Sequence, residues 1–258
     1  MRILACVKRV PAPGAQIALT ADARAVDARS LAFTTSPHEE CAVEEAIRLV
    51  ELHGGDITVL TVGPPEAEEQ LRFSISVGAQ HAVLATNEQI ANGEDPDPQA
   101  TAHAIVAAVR GLEGESGPFD VLLFGNESAD SGNYQVGVRV ARALGRPIVN
   151  GIKAIDVADG VLTARRESDA GFEVYRFTLP AVVGVKEGIN LPRYPTLPGR
   201  LRSKKAEVQT VAADAPGGAL RMVRFETPVV ELSETEILGR GADGAGPVVD
   251  LIYELGLA

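Results

Sequence analysis

The feature that most constrains this chain is its alternation, from the first residues onward, of short apolar runs with longer stretches of helical period. Residues 3–7 form an apolar run closed by Lys8-Arg9 and a Pro11-Ala12-Pro13-Gly14 turn. Ser36-Pro37-His38-Glu39 then carries three agreeing helix-start signals: a capping serine, a proline suited to the first turn, and a glutamate that completes a capping box. Ala42, Val43, Ala46, Leu49 and Val50 recur at helical spacing behind it, and Gly54-Gly55 ends the segment. A second strand is expected over 56–62, closed by Gly63-Pro64-Pro65, then a helix over 66–77 and a short strand over 81–85. A polar loop over 87–98 leads to a helix over 99–109, and 120–125 reads as the clearest buried strand. Repeated βα units of this kind predict an α/β fold: a doubly wound, mainly parallel sheet with helices on both faces and right-handed crossovers.

After Pro147 the pattern changes. Residues 152–157, 160–166 and 172–178 read as strands, with Asp159-Gly160 as a hairpin turn, and 181–185 as one more buried strand. From about 205 the chain turns into small, Pro/Gly-rich and Gly-rich pieces with too little apolar material for a core of their own. Two parts are therefore expected: an α/β domain over 1–205 and an extended C-terminal arm over 206–258 that lies on another surface.

Composition narrows the function. Aromatic residues are only 4% and Trp is absent, so the core must be aliphatic, as buried parallel sheets usually are. The formal net charge of −11 argues against a broad nucleic-acid surface, which needs a basic face. Cys6 and Cys41 are far apart, without metal-ligand spacing, and read as reduced thiols. The N-terminus reads as a strand too short for a signal segment, and no run approaches the ~20 apolar residues of a membrane span. A cytoplasmic protein without membrane insertion is expected.

Three segments carry chemistry. Residues 125–137 (Gly125, Asn126, Glu127, Ser128, Ala129, Asp130, Ser131, Gly132, Asn133, Tyr134, Gln135, Val136, Gly137) follow the best strand and enter a helix with an expected buried face of Val136, Val140, Ala143 and Leu144. Ligands of doubly wound sheets sit at the carboxyl ends of strands, and a helix N-terminus offers N–H groups to an anion. Neither a GxGxxG nor a Walker loop is present, and a capped turn without a ligand satisfies the pattern equally. Residues 36–41, the end of the first strand at Cys6 and the bend at Val62 are expected to face the same crevice; Cys6 reads as a wall, not a nucleophile. The third segment, 186–205, sets Arg193, Arg200, Arg202, Lys204 and Lys205 beside Ile189, Leu191 and Leu197, with prolines holding the backbone extended. It reads as a stiff docking loop, or as a solvated loop with incidental charge.

At this third segment the sequence becomes familiar. Asn190, Pro192-Arg193-Tyr194, Thr196-Leu197-Pro198 and Lys204-Lys205 resemble the signature of electron transfer flavoprotein beta subunits. Val7-Lys8-Arg9-Val10-Pro11 resembles the family's opening strand and loop, Pro37 with Ala42-Val43-Glu44-Glu45-Ala46 its first helix, and Asp130, Gln135 and Gly137 its crevice loop. The similarity covers about residues 1–205 in order.

The resemblance implies an adenine-nucleotide-binding, HUP-like fold and a heterodimer with an alpha subunit, which holds FAD for the most part and receives the arm. It implies AMP in the beta crevice, at Cys6, Ser36, Pro37, His38, Glu39, Val62, Gly125, Asp130, Ser131, Gly132, Asn133, Tyr134, Gln135 and Gly137. It also implies a dehydrogenase-docking loop at Ile189, Asn190, Leu191, Pro192, Arg193 and Tyr194, with Ile189 as apolar anchor, and a charged pair near the domain interface at Arg166-Glu167. Electrons would pass from dehydrogenases, such as the acyl-CoA dehydrogenases of fatty acid oxidation, to a quinone oxidoreductase or another acceptor. The chain departs from the family at Ser36, where many members have Asn, at Cys6, where some have Ala, and at Asp130-Ser131-Gly132-Asn133, which replaces a more acidic run. No acid/base pair, catalytic triad or metal cluster emerges, so no catalytic residue and no metal ligand is expected; the cofactor carries the chemistry. Two other readings stand beside this one: a bifurcating enzyme component with a second FAD in the crevice, and a stand-alone nucleotide-binding regulator akin to universal stress proteins.

Overall fold

The computed structural model describes residues 1–213, 218, 220–228 and 235–257. Two compact units divide the chain, Met1–Val223 and Arg224–Ala258. In order, the first unit contains β1 (Arg2–Cys6), β2 (Val10–Pro11), β3 (Phe33–Thr34), α1 (Pro37–His53), β4 (Asp56–Val62), α2 (Glu68–Val77), β5 (His81–Thr86), α3 (Glu88–Ala91) and α4 (Pro98–Ser116). It continues with β6 (Val121–Gly125), α5 (Val136–Leu144), β7 (Ile148–Ala158), β8 (Val161–Ser168), β9 (Gly171–Thr178), β10 (Ala181–Val185), α6 (Leu197–Lys205) and β11 (Val208–Ala212). In the second unit a 3-10 turn over Gly241–Gly244 leads into α7 (Ala245–Glu254), where Val248, Leu251, Ile252 and Leu255 recur at helical spacing. The sequence boundary was expected at 205; the chain instead enters the sheet once more at β11, and the division falls after Val223.

The main sheet has nine strands in the order β11-β5-β4-β1-β6-β10-β7-β8-β9. All pairs from β11 to β7 are parallel, and β7-β8 and β8-β9 are antiparallel. After β9 the chain turns back and inserts β10 between β6 and β7, parallel to both.

Strand period two assigns the two faces. Ile3, Ala5, Val121 and Leu123 point to the side packed by Ala42, Val43, Ala46 and Leu49 of α1 and Leu71 and Ile75 of α2. Leu4, Cys6, Leu122 and Phe124 point to the side packed by Ile105, Val106 and Val109 of α4 and Val140 and Ala141 of α5. Helices on both faces of a mostly parallel sheet make the doubly wound architecture expected from the alternation. On α5 the buried face differs by one position from the expected one: Ala141 is buried and Ala143 is exposed.

From β1 the strands β4, β5 and β11 run out to one side, and β6, β10 and β7 to the other. The order therefore reverses between β1 and β6, and the carboxyl ends of these strands, Cys6 and Gly125, flank the crevice that such a switch point opens.

Candidate functional site

The N-terminus of α1 reaches this crevice in the conformation its sequence predicts. Ser36 caps the helix, its hydroxyl accepting from the Glu39 N–H at 3.3 Å, while Glu39 Oε2 accepts from the Ser36 N–H at 3.2 Å. Gly125 makes the approach of α1 to β6 possible: a Cβ there would lie 2.7 Å from Glu39 Cγ and 3.2 Å from His38 Cβ. The glycine therefore serves helix-to-strand contact.

Ser36, Pro37 and His38 face Glu127, Ser128, Ala129, Asp130, Ser131 and Gly132 across a cleft of about 340 Å3. Lys8, just past β1, pairs with one of these lining residues, its Nζ 2.6 Å from Asp130 Oδ2 and 3.7 Å from Asp95 Oδ2. Burial alone would push the Lys8 ammonium down, but Asp95 and Asp130 outweigh it and hold it above its ordinary value. Asp130 behaves reciprocally: burial pushes it up, and Lys8 holds it below the usual carboxylate range. Glu39 lies beneath, fully buried; desolvation pushes its carboxyl up to about 8, although the Lys8 and Ser36 backbone N–H groups favour the ionised form.

The loop is cross-tied within itself. The Ser131 N–H donates to Asp130 Oδ1 at 2.7 Å, the Ser128 and Ser131 hydroxyls lie 3.1 Å apart, and Asn133 Nδ2 donates to Ser131 Oγ at 3.1 Å. Two residues near its end take left-handed backbone, Gly132 at φ +54° and Tyr134 at φ +57°. At Gly132 a side chain would have room, its nearest neighbour being Glu127 Oε2 at 3.7 Å, so backbone conformation is what calls for glycine. The chain then enters α5 with no side chain capping it. Gly137 seats that helix, because its Cβ would touch the Phe124 ring at 3.3 Å.

The expected site residues thus separate. Ser36, Pro37, His38, Asp130, Ser131 and Gly132 line one cleft. Asn133, Tyr134, Gln135 and Gly137 form the turn into α5. Cys6 and Val62 contact the α4–α5 core cluster, and burial pushes the Cys6 thiol far up, which makes it inert. Glu127 lines the cleft and Lys8 pairs with its Asp130, and neither was singled out; the signal for Lys8 was the Lys8-Arg9 pair directly after a buried strand.

The second region is the chain after β10. Residues 186–196 cross the outer face of α1 and are stapled to it. Asn190 Nδ2 donates to Cys41 O at 3.0 Å and Glu45 Oε2 at 2.9 Å. Arg193 grips Glu44 through Nε at 2.9 Å and Nη2 at 3.1 Å, and Glu51 through Nη1 at 2.6 Å and Nη2 at 3.0 Å. Hydrogen bonding to Glu51 and Glu44 holds the guanidinium well above its ordinary value. Ile189 is half-buried against the core, whereas Leu191 is 91% exposed and Tyr194 92%.

The stiff loop expected over 186–205 ends earlier than its prolines suggested. Thr196 caps α6, its hydroxyl oxygen accepting from the Gly199 N–H at 3.1 Å, and Pro198 occupies the first turn, where it costs no hydrogen bond. This helix lies hard on α2: a Cβ at Gly199 would fall 2.1 Å from Ser76 O. The two helices cap each other, Arg202 donating to Ile75 O at 2.9 Å and Arg72 to Ser203 O and Ala206 O. Leu197 and Leu201 remain exposed, with Arg200, Lys204 and Lys205 beside them. The Arg166 guanidinium, in contrast, pairs with Glu173 and Tyr175 on the antiparallel strands, and Glu167 lies 4.0 Å from Lys153. Among the described residues no cluster of metal-ligating side chains occurs, and no helix is long and apolar enough to cross a membrane.

Fold and site define a doubly wound α/β protein with a polar crevice at its switch point and an exposed apolar loop on the adjoining helix. Residues 25–216 match the family model described as the electron transfer flavoprotein domain. The chain is 34% identical to the electron transfer flavoprotein subunit beta of Syntrophomonas wolfei, over 92% of this chain and 90% of that protein. It is 35% identical to the Bacillus subtilis subunit beta, over 69% and 67% respectively, and 32% identical to the FixA protein of Bradyrhizobium diazoefficiens, over 84% and 75%. The chain belongs to the electron transfer flavoprotein family, as a beta subunit.

Proposed function

We propose that this beta subunit works in a heterodimer with an alpha subunit, holds AMP in the crevice between β1 and β6, and presents residues 189–201 to the dehydrogenases that reduce the complex. FAD, held for the most part by the alpha subunit, supplies the electron-carrying chemistry. A quinone oxidoreductase or another acceptor takes the electrons onward, and the arm beyond 223 packs on the alpha subunit.

The observation that carries this reading is the pairing of the two regions on one helix. The crevice fits a mononucleotide. Its volume falls within the roughly 300–1,000 Å3 usual for small-molecule sites, and it offers the Lys8 ammonium and the hydroxyls of Ser36 and Ser131. The uncapped start of α5 lies at the end of the same loop, and a helix N-terminus favours a phosphate. Desolvation raises the Glu39 carboxyl to about 8, which disfavours a negative charge beneath an anion.

Docking falls to the side chains the loop turns outward. Leu191, Tyr194, Leu197 and Leu201 supply apolar and aromatic contact, and the cations of α6 favour a partner with an acidic rim. Ile189, Asn190 and Arg193 hold the loop in place, a division of labour that follows from their burial and bonding.

Co-expression with the alpha subunit and chromatography of the released ligands tests the reading. One FAD and one AMP per heterodimer are expected. Two FAD and no AMP would instead mark a bifurcating component, and a colourless chain that takes no partner would return the nucleotide-binding regulator.

A further inference from the structure

His38 touches both regions. Its Nδ1 accepts the backbone N–H of Glu187 at 2.8 Å, at the root of the docking loop. Its Nε2 lies 3.4 Å from Glu127 Oε1, in the crevice wall. Because Nδ1 accepts, the ring hydrogen sits on Nε2 and faces the Glu127 carboxylate, so each contact fixes the tautomer the other requires. Glu127 is tied in turn to the helix cap, its carbonyl 3.5 Å from Ser36 Oγ. One imidazole therefore bridges a loop that lines the cleft and the first residues of a loop that crosses α1.

We infer that His38 couples the two sites: an occupant of the crevice that orders residues 127–132 fixes Glu127 against Nε2, keeps Nδ1 as an acceptor, and so orders the docking loop from Glu187 onward. This rests on the reading that the crevice takes AMP. The coupling is a positioning effect and is reciprocal, so a docked partner tightens AMP binding by the same factor. A pre-ordered loop also loses less conformational freedom when it docks.

The test uses the full chain, with the subunit it purifies with, after removal of bound nucleotide. Hydrogen exchange of the amides at residues 188–191 is measured without AMP and at AMP concentrations that calorimetry shows to be saturating for each variant. In the wild type, AMP slows exchange there by about fivefold or more, the lower end of ordinary coupling. Three variants each cut the bridge at a different place. His38→Asn keeps an acceptor for Glu187 but cannot reach Glu127, and His38→Gln reaches Glu127 but presents no acceptor at the Nδ1 position. Glu187→Pro removes the donor without touching the cleft. In all three the ratio of exchange rates with and without AMP falls to about one. A merely structural role for His38 would loosen the loop equally in both conditions and leave the ratio intact.

A wild-type ratio of one with AMP demonstrably bound overturns the coupling and leaves the proposed function standing. Variants that keep the wild-type ratio overturn it as well. A wild-type complex that binds no AMP removes the crevice reading and the coupling together.

Discussion

At the N-terminal end of α1 the polar groups satisfy one another: Ser36 with Glu39, Lys8 with Asp130, and Ser131 with Asp130 and Asn133. Further along the same helix the polar groups reach outward to hold a loop, Glu45 taking Asn190 and Glu44 with Glu51 taking Arg193. The crevice is a network around a space, and the loop is an apolar surface held from behind by charge. Each is therefore vulnerable in its own way. A crevice network can exchange internal partners for those of a ligand, whereas the loop loses its shape when a staple is cut but keeps it when an outward side chain is trimmed.

The largest effect is expected at a staple. Arg193→Ala strands the buried Glu44 carboxylate. The guanidinium is partly exposed, so the loss is discounted from that of a fully buried pair to about 2 kcal/mol, read from the urea midpoint. Partner docking should weaken far more than AMP binding, which loses at most the coupling factor of about fivefold; an equal loss of both would dissolve the distinction between the two regions.

Next comes Gly132→Val. The left-handed conformation costs a non-glycine residue about 1–2 kcal/mol, and β-branching makes it worse. AMP occupancy should fall, while docking of a partner through Leu191 and Tyr194 weakens by no more than the coupling factor of about fivefold. Full occupancy would show that this loop does not shape the ligand site.

Glu39, beneath the crevice, makes stability depend on pH. Its folded pKa, about 8, stands above the ordinary carboxylate value of roughly 4. Below about pH 4 the group is protonated in both states; between there and pH 8 the folded state binds the extra proton, so stability falls as pH rises through that window. Glu39→Gln should therefore gain stability over the wild type progressively from pH 4 to 8, and unfolding curves that stay parallel across that range would contradict the burial argument.

The smallest change in stability belongs to Tyr194→Ala. Its side chain is almost wholly exposed, so the unfolding free energy should move by less than about 0.5 kcal/mol. Docking affinity should nonetheless fall about tenfold, as for an aromatic anchor. Unchanged affinity would move the contact surface to Leu197 and Leu201.

Much of this architecture is written locally. The capping box at Ser36, the buried strand ending at Gly125, the Asp159-Gly160 hairpin and β10 all lie where side-chain period and turn chemistry place them. What was not legible depends on distant partners. Helix α6 was hidden because Pro198 reads as a breaker, and its seat on α2 follows from Gly199 meeting Ser76 in a contact far apart in sequence. The insertion of β10 between β6 and β7, and the addition of β11 at the sheet edge, are likewise choices among strand partners that period alone does not rank. In the crevice the residue types were legible, but Lys8 and Glu127 acquire their roles only once two loops meet. In the docking loop the composition was legible; which side chains face inward is decided by Glu44, Glu45 and Glu51, a helix away.

The crevice at the switch point is proposed to take AMP through the loop after β6. Calorimetric titration of AMP into the nucleotide-depleted complex, for the wild type and for Gly132→Val, tests it most directly. One AMP per chain in the wild type, with binding weakened about tenfold or more by a strain of this size, is the expected result. No binding, or binding that the variant leaves untouched, would contradict it.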